Sequence, residues 1–570
     1  MKVIGFVVLG YRFWLKGHTD CHATYPITGD PRPQTNNHKP YNHTNMAYRN
    51  LTINEITELS EQGCRCAEWQ HIWVEDGFIT DNIYNVRFEG EIRLGENVRM
   101  ENVGIVRTTD GATFGEDYLI SVKNEAGAGN VVLYSGLTAQ TAALMMLAAD
   151  DKPLFGKLRK MVSEYAGAHR PPCTTIGSNV TITDCRELTN VSIGNDCELC
   201  GASRLIDCTL SPTPEATIYI GDDVIMENVV VQAGSTVVDG ARIYDTFVGE
   251  ACHIGRGFTA ENSLFFANSH MDNGEACAAF CGPFSVSHHK ASLLIGGEYS
   301  FYNAGSATNF SNHAYKMGPI HHGTMERGSK TASGTHVLWP ASIGAFSMVM
   351  GKIQTHPDTS MFPFSYVIGE GRKTYLVPGR NLCTVGTYRD VMKWPKRDKR
   401  PLNGRLSLIT FDWLSPYVIE RIRAGLQTMM EMQEEQGYEA EEYEGQGFFI
   451  KSQSLQRGIQ YYKLALRMYG NANKTSEWTD LLGLLIPTDA LEQLKEDITG
   501  DDIADITTLE SRFRDIYESY EQWKGFSENE AVCEQAHEEW LKAIRKDAER
   551  EYEMGDVSEE QITEFINGIH

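Results

Sequence analysis

Hydrophobic positions along the chain follow two periods, one helical and one hexameric. Over residues 51–59 the apolar side chains share one helical face, and Thr52 and Glu55 have the spacing of a capping box, which predicts a short N-terminal helix. Val86, Ile92 and Val98 then recur every six residues and mark the first coils of a parallel β-helix. From Leu137 to Tyr165 helix formers replace the alternation, so a helical insertion is predicted. The hexads return at Ile176-Gly177, Ile193-Gly194, Ile220-Gly221, Val248-Gly249 and Ile254-Gly255, with Ile225, Val231, Val237 and Ile243 at strict six-residue spacing. Six residues on each of three sides make an eighteen-residue coil in which every such aliphatic residue points inward. Asn179, Asn195, Asp222 and Asp239 suit the corners, because they tolerate left-handed backbone.

Past Pro401 the hexads stop. Leu455, Ile459, Tyr462 and Leu466 mark an amphipathic helix, and Ser527/Glu530 and Ser558/Gln561 read as further capping boxes. Residues 426–446 carry seven glutamates and no basic residue, the pattern of a solvated face. The expected fold is mainly β, a left-handed parallel β-helix of hexapeptide repeats with an N-terminal helical insertion and a C-terminal α-helical domain. The expected boundaries are an irregular arm over 1–45, first coils and insertion over 46–171, the repeat tract with the site over 172–400, and acidic helices over 401–570.

The repeating Leu/Ile/Val-Gly-x-x-aliphatic-x unit resembles that of hexapeptide acyltransferases and of the C-terminal half of bacterial UDP-N-acetylglucosamine pyrophosphorylases. That resemblance implies a group transferase assembled as a homotrimer, with sites between subunits. The stretch from Gly282-Pro283-Phe284-Ser285-Val286-Ser287-His288-His289-Lys290 to Trp394-Pro395-Lys396-Arg397-Asp398-Lys399-Arg400 is also similar to a bacterial family known only as a domain of unknown function. No Gly-rich signature or βαβ alternation of a pyrophosphorylase nucleotide-binding domain precedes the repeats.

Charge and composition narrow the function. A net charge of −25 argues against a general nucleic-acid or anionic-membrane binder, and no run has the apolar length of a membrane span. The N-terminus starts like a signal peptide, but Tyr11-Arg12 interrupts the run. The 13 cysteines are scattered without zinc-ribbon spacing, which predicts a reducing cytoplasm, and the lone Cys197-x-x-Cys200 reads as core filling.

Candidate chemistry concentrates between His270 and His336, which hold seven of the 17 histidines. In acyl transfer, His313 is the preferred general base, with His289, His321 and His322 as further catalytic candidates. His288, Lys290, Asn303, Asn309, Asn312, Lys316, Arg327 and Lys330 are candidates to hold a phosphosugar or nucleotide sugar. A loop is expected at 312–316, because His313 and Lys316 face together only across a turn. Coil spacing further places His289, His313 and His336 along one edge. Lys393, Trp394, Lys396 and Arg397 could hold the phosphates of acyl-coenzyme A.

Two other readings use the same residues. One is a metal-dependent lyase or hydrolase, resembling β-helical carbonic anhydrases, in which three of His288, His289, His313, His321 and His322 would hold zinc or iron, although the histidine spacing does not reproduce that family's ligand motif. The other is a sugar-binding or structural trimer.

Overall fold

In the computed structural model, which describes residues 48–311, 321–470, 477–523 and 530–553 with positions 558, 560 and 563, equivalent positions of the central tract lie seventeen residues apart. Ile220 pairs with Val237, Val237 with Ile254 and Ile254 with Met271 in parallel ladders. All four side chains are fully buried, so they form the inner column of a stack. The eighteen-residue expectation fails by one because a left-handed residue closes a corner in each coil: Asp239, Arg256 and Asn273 all have φ between 52° and 58°. The slip also corrects two assignments. Met226 takes the inward place and Ile225 is only half-buried, and the left-handed corners fall on Asp196 and Asp223 in place of Asn195 and Asp222. Stacked corners satisfy one another, as where Asn228 Nδ2 donates to Asp245 Oδ1 at 2.8 Å.

The mainly-β expectation, a clean left-handed β-helix of hexapeptide repeats with helices set apart, is overturned. Helix and strand each account for 31% of the described residues, and the fold is mixed α/β with helices distributed along it. Helix α1 (Ile53–Glu61) has the Thr52–Glu55 capping box that its sequence predicts. Helices α2 (Ala139–Leu147) and α3 (Lys152–His169) form the insertion. Helix α4 (Val385–Lys393) follows the last coils. Beyond it come α5 (Pro416–Gln436), α6 (Ser452–Tyr469), α7 (Thr488–Thr499), α8 (Ile506–Trp523) and α9 (Glu530–Glu553). On α6, Leu455, Ile459 and Tyr462 are buried as their spacing predicts. The acidic run covers the end of α5 and the strand Glu442–Glu444, while Ser527 and Gln561 lie outside the described residues.

The physical reason for the mixed class lies on the outside of the stack. One outward ladder is apolar, Val230 pairing with Phe247, Phe247 with Leu264 and Leu264 with Phe280. These side chains form a second core with Leu144 of α2, Leu154 and Leu158 of α3, Leu491 of α7 and Leu509 of α8. A stack with an apolar face must bury it, and here the chain's own helices do so. Among the described residues no helix is long and apolar enough to cross a membrane.

The insertion carries a titratable signature. Glu116 is 3% exposed, and the Ser135 N–H reaches both of its carboxylate oxygens at 3.1 Å. Burial, partly offset by Ser135, raises its pKa from 4.5 to about 7. The folded state therefore holds a proton that the unfolded state has already released between those values, so stability falls as pH rises from 4.5 to 7. The expected loss is about 3 kcal/mol. Urea titrations at pH 5 and pH 8 test this: Glu116→Gln should flatten the difference, and an unchanged difference in that variant would refute the assignment.

Candidate metal centre

The opposite flank of the stack is polar. There Thr236 pairs with His253, His253 with His270, His270 with Val286, Val286 with Asn303, and Asn303 with Lys330. Parallel in-register pairing puts equivalent side chains on the same face of adjacent rungs, about 4.8 Å apart. The column therefore aligns two imidazoles, and the rings of His253 and His270 lie 4.6 Å apart, centre to centre. Strand alternation sends residue 272 to the same side as residue 270, in the adjoining column where Asp272 pairs with Gly255.

His253, His270 and Asp272 each offer one ligand atom, and these atoms lie within 4.8 Å of one another. His270 Nε2 is 3.1 Å from Asp272 Oδ2, and His253 Nε2 is 3.4 Å from Asp272 Oδ1. Arg256 Nε lies 3.5 Å from Oδ2. Burial opposes charge on this carboxylate, but the facing imidazoles of His253 and His270 outweigh it and hold the group well below the usual range. Asp272 is 3% exposed, while both histidines keep solvent-facing surface.

Three details fit an ion better than a closed hydrogen-bonded ladder. Asp272 Oδ1 is buried, and His253 Nε2 at 3.4 Å approaches it without forming a hydrogen bond, so among the described residues the oxygen has no hydrogen-bond partner, which costs free energy unless something fills its lone pairs. His253 Nδ1 is engaged by Thr236 Oγ1 at 2.7 Å, which orients the ring and leaves Nε2 for a ligand. Gly255 leaves the space open: a Cβ there would lie 3.0 Å from His253 Nε2 and 3.1 Å from Asp272 Oδ1. Two imidazoles and one carboxylate, with one side open, suit Zn²⁺, Fe²⁺ or Mn²⁺ and leave coordination positions for water or substrate.

Of the sequence candidates, His288 and His289 adjoin this centre. The His288 ring is 5.9 Å from that of His270 and 4.2 Å from that of His289. Although His288 keeps an exposed edge, desolvation and then the neighbouring His289 and His270 push its pKa down to about 4. Lys290 is exposed just beyond it. Asn303 and Lys330 lie on the His270 column, and Lys330 Nζ pairs with Asp390 Oδ2 of α4 at 2.5 Å.

Other candidates sit elsewhere. Asn309 pairs with His336, which pairs with Lys352, on a different ladder from His270, so His289 and His336 do not share the expected edge. His321 and His322 lie by the apolar flank, where His322 Nδ1 is 3.3 Å from Asn124 Nδ2 and its pKa is lowered by desolvation and then by Lys123. Arg327 is buried, bonded to Asp480 at 2.8 Å and to the Gly483 carbonyl at 3.1 Å. Trp394 packs 4.8 Å from Phe301 and 6.1 Å from Phe346, Lys393 is half-buried, and Lys396 and Arg397 are exposed. Asn312, His313 and Lys316, and the loop expected there, fall outside the described residues.

Sequence reasoning missed His253, Asp272 and Gly255. The signal was present: 253 and 270 are one seventeen-residue coil apart, and His270-x-Asp272 has strand spacing, but an eighteen-residue register separates them.

Comparison with known families places this chain. Residues 48–99 and 93–433 match the family model described as "Domain of unknown function (DUF4954)", and the chain belongs to that family. Residues 464–554 match a second model, "Domain of unknown function (DUF6819)". The chain is similar to an uncharacterized protein of Treponema pallidum (strain Nichols), 23% identical over 423 residues, covering 62% of this chain and 58% of that protein. It thus spans a little over half the length of that relative.

Proposed function

We propose that this protein is a metal-dependent lyase or hydrolase whose ion is held by His253, His270 and Asp272. The observation that carries the reading is the convergence of these three ligand atoms within 4.8 Å, around a carboxylate oxygen that has no hydrogen-bond partner. A divalent ion held there would supply Lewis acidity and bring the pKa of bound water to about 7. The chain's own residues supply the rest. Thr236 fixes the His253 ring, Asp272 spans both imidazoles, and His289, its ring 4.2 Å from that of His288, stands near the ligands as a group that can take up the proton that attacking water loses. The acyl-transfer reading rests on His313, which lies outside the described residues.

Metal analysis of the purified full-length protein tests the proposal. About one zinc, iron or manganese ion per chain is expected, with chelation abolishing turnover of ester, amide, phosphate or hydration substrates and the ion restoring it. A protein that neither retains nor takes up any of these ions would end the reading.

A further inference from the structure

A second polar spot lies on the flank opposite the metal centre, at one end of the outward ladder that the insertion covers. That ladder is apolar from Val230 through Phe247 and Leu264 to Phe280, but before Val230 it runs through Ser192 and Thr209. Both are buried. Their small side chains leave the space that larger apolar ones fill farther along, and a cleft opens there between stack and insertion. Its lining includes Glu116, Ser135, His169, Ser192, Thr209 and Pro212, and it encloses about 40 Å³. One water molecule needs at least about 10–15 Å³, so the cleft admits the end of a small molecule and not a sugar ring.

The walls offer mainly acceptors. The buried Glu116 carboxylate shares the Ser135 N–H between its two oxygens at 3.1 Å, which leaves further lone pairs to fill. Arg170 supplies no ion pair: its Nη2 donates to the main-chain carbonyl of Glu116 at 3.1 Å, and among the described residues no cation pairs with the carboxylate. Thr209 Oγ1 already gives its proton to the Phe114 carbonyl at 2.8 Å, so toward the cleft it can only accept. His169, the last residue of α3, stacks on Tyr165 with ring centres 4.0 Å apart. The Tyr165 carbonyl is an acceptor, so His169 Nδ1, 2.7 Å away, carries the proton, and Nε2 of the neutral ring is left as an acceptor. A buried carboxylate without a paired cation, among groups that accept, matches a ligand that only donates.

We propose that this cleft binds the ammonium end of a small aliphatic amine, with Glu116 as its counter-ion. An ammonium has three donors and no acceptor. Pro171, Leu210 and Pro212 give its alkyl chain an apolar wall. The net charge of −25 favours the approach of a cation. Without a ligand, burial raises Glu116 to about 7, and an ammonium beside it would stabilise the charged form that burial disfavours. The site shares no residue with the metal centre, and the inference stands apart from that reading.

Calorimetric titration of the full chain with n-butylamine tests it, at low salt and pH 8, where Glu116 is ionised and the amine is charged. Wild type should bind, and Glu116→Gln should weaken binding at least about 10-fold. Ser192→Val, which narrows the cleft, keeps the carboxylate and extends the apolar ladder, should weaken it comparably. Butylamine should raise the melting temperature of wild type but not of Glu116→Gln. Without ligand, Glu116→Gln should melt no lower than wild type at pH 8, because it removes a buried charge; if that variant does not fold, Ser192→Val decides. Wild type that binds no butylamine in the millimolar range holds water alone in the cleft, which overturns the proposal. Wild-type affinity in either folded variant overturns it as well. n-Butanol binding as tightly as n-butylamine overturns the ammonium assignment, and K⁺ binding as tightly overturns it in favour of an inorganic cation.

Discussion

His270→Ala and Asp272→Asn will each lower affinity for a divalent transition ion by about 10²-fold or more, while the strand stack stays folded. The magnitude follows from the ligand count. Even the outer-shell partners of protein metal sites are worth about 10- to 100-fold in affinity, and these residues are two of the three groups placed to ligate an ion directly. The fold should survive because both histidine side chains point away from the buried inner column, whose rungs here are Ile254 and Met271. Gly255→Val is the sharper form of the same prediction, since it leaves every ligand in place. Glycine at 255 does not adopt a left-handed conformation, so a side chain there meets no backbone penalty. Its Cβ would sit 3.0 Å from His253 Nε2 and 3.1 Å from Asp272 Oδ1, in the space between the ligand atoms. The variant should lose metal at least as severely as a variant lacking an outer-shell partner, while Gly257→Val, with no atom within 4 Å of the added Cβ, should keep the ion. That control adopts a φ of 71°, so its melting temperature has to be read beside its metal content. Isothermal titration with Zn²⁺ decides: Gly255→Val binding with wild-type affinity would show that the ion, if any, sits elsewhere.

Replacing Arg400 by methionine will destabilise the protein by about 3–5 kcal/mol, the cost of leaving buried partners of an ion pair uncompensated. Arg400 is 5% exposed and lies where the stack meets the helical region. Its guanidinium is 3.2 Å from Glu250 Oε2 and 2.9 Å from Asp398 Oδ2, and it also donates to the Ser407 carbonyl at 2.5 Å. Glu250 is buried too, and accepts from the backbone N–H groups of Leu406 and Ser407 at 2.9 and 3.0 Å. Removing the cation leaves that carboxylate charged in a low-dielectric setting. The double variant with Glu250→Gln should recover part of the loss, because the amide oxygen still accepts one backbone bond without a buried charge. Urea unfolding measured by tryptophan fluorescence reads both effects. A shift below about 1 kcal/mol for Arg400→Met would mean that water or Arg405, which sits 3.2 Å from Asp398, takes over the role.

The same cluster shows how partial a sequence reading of the basic segment Lys393–Arg400 is. As a string it looks like one solvated basic element. In the structure it divides: Arg400 is a buried structural cation, Lys396 and Arg397 are exposed, and Lys393 is half-buried. Arg327 and Lys330, three residues apart, divide in the same way, one bonded to Asp480 in the interior and the other on the polar column. Side chains of identical type separate by the face of the coil they occupy, which composition does not encode.

What the sequence determined by itself were features set by local periodicity and local hydrogen bonding. The capping box of α1, the helical insertion after Leu137, the amphipathic face of α6 and the parallel pairing of the strands in the central tract all follow from apolar spacing and residues that close turns within a few positions. Tertiary structure alone decided the seventeen-residue register, the burial of the Val230–Phe280 ladder beneath helices far along the chain, and hence the mixed α/β class. It also decided the metal centre, because a shift of one residue per coil moves His253 and His270 from different columns into one. The reason is geometric: short-range propensity sets whether a strand forms, but which side chains meet depends on register, and register is fixed only when inner and outer faces are packed together.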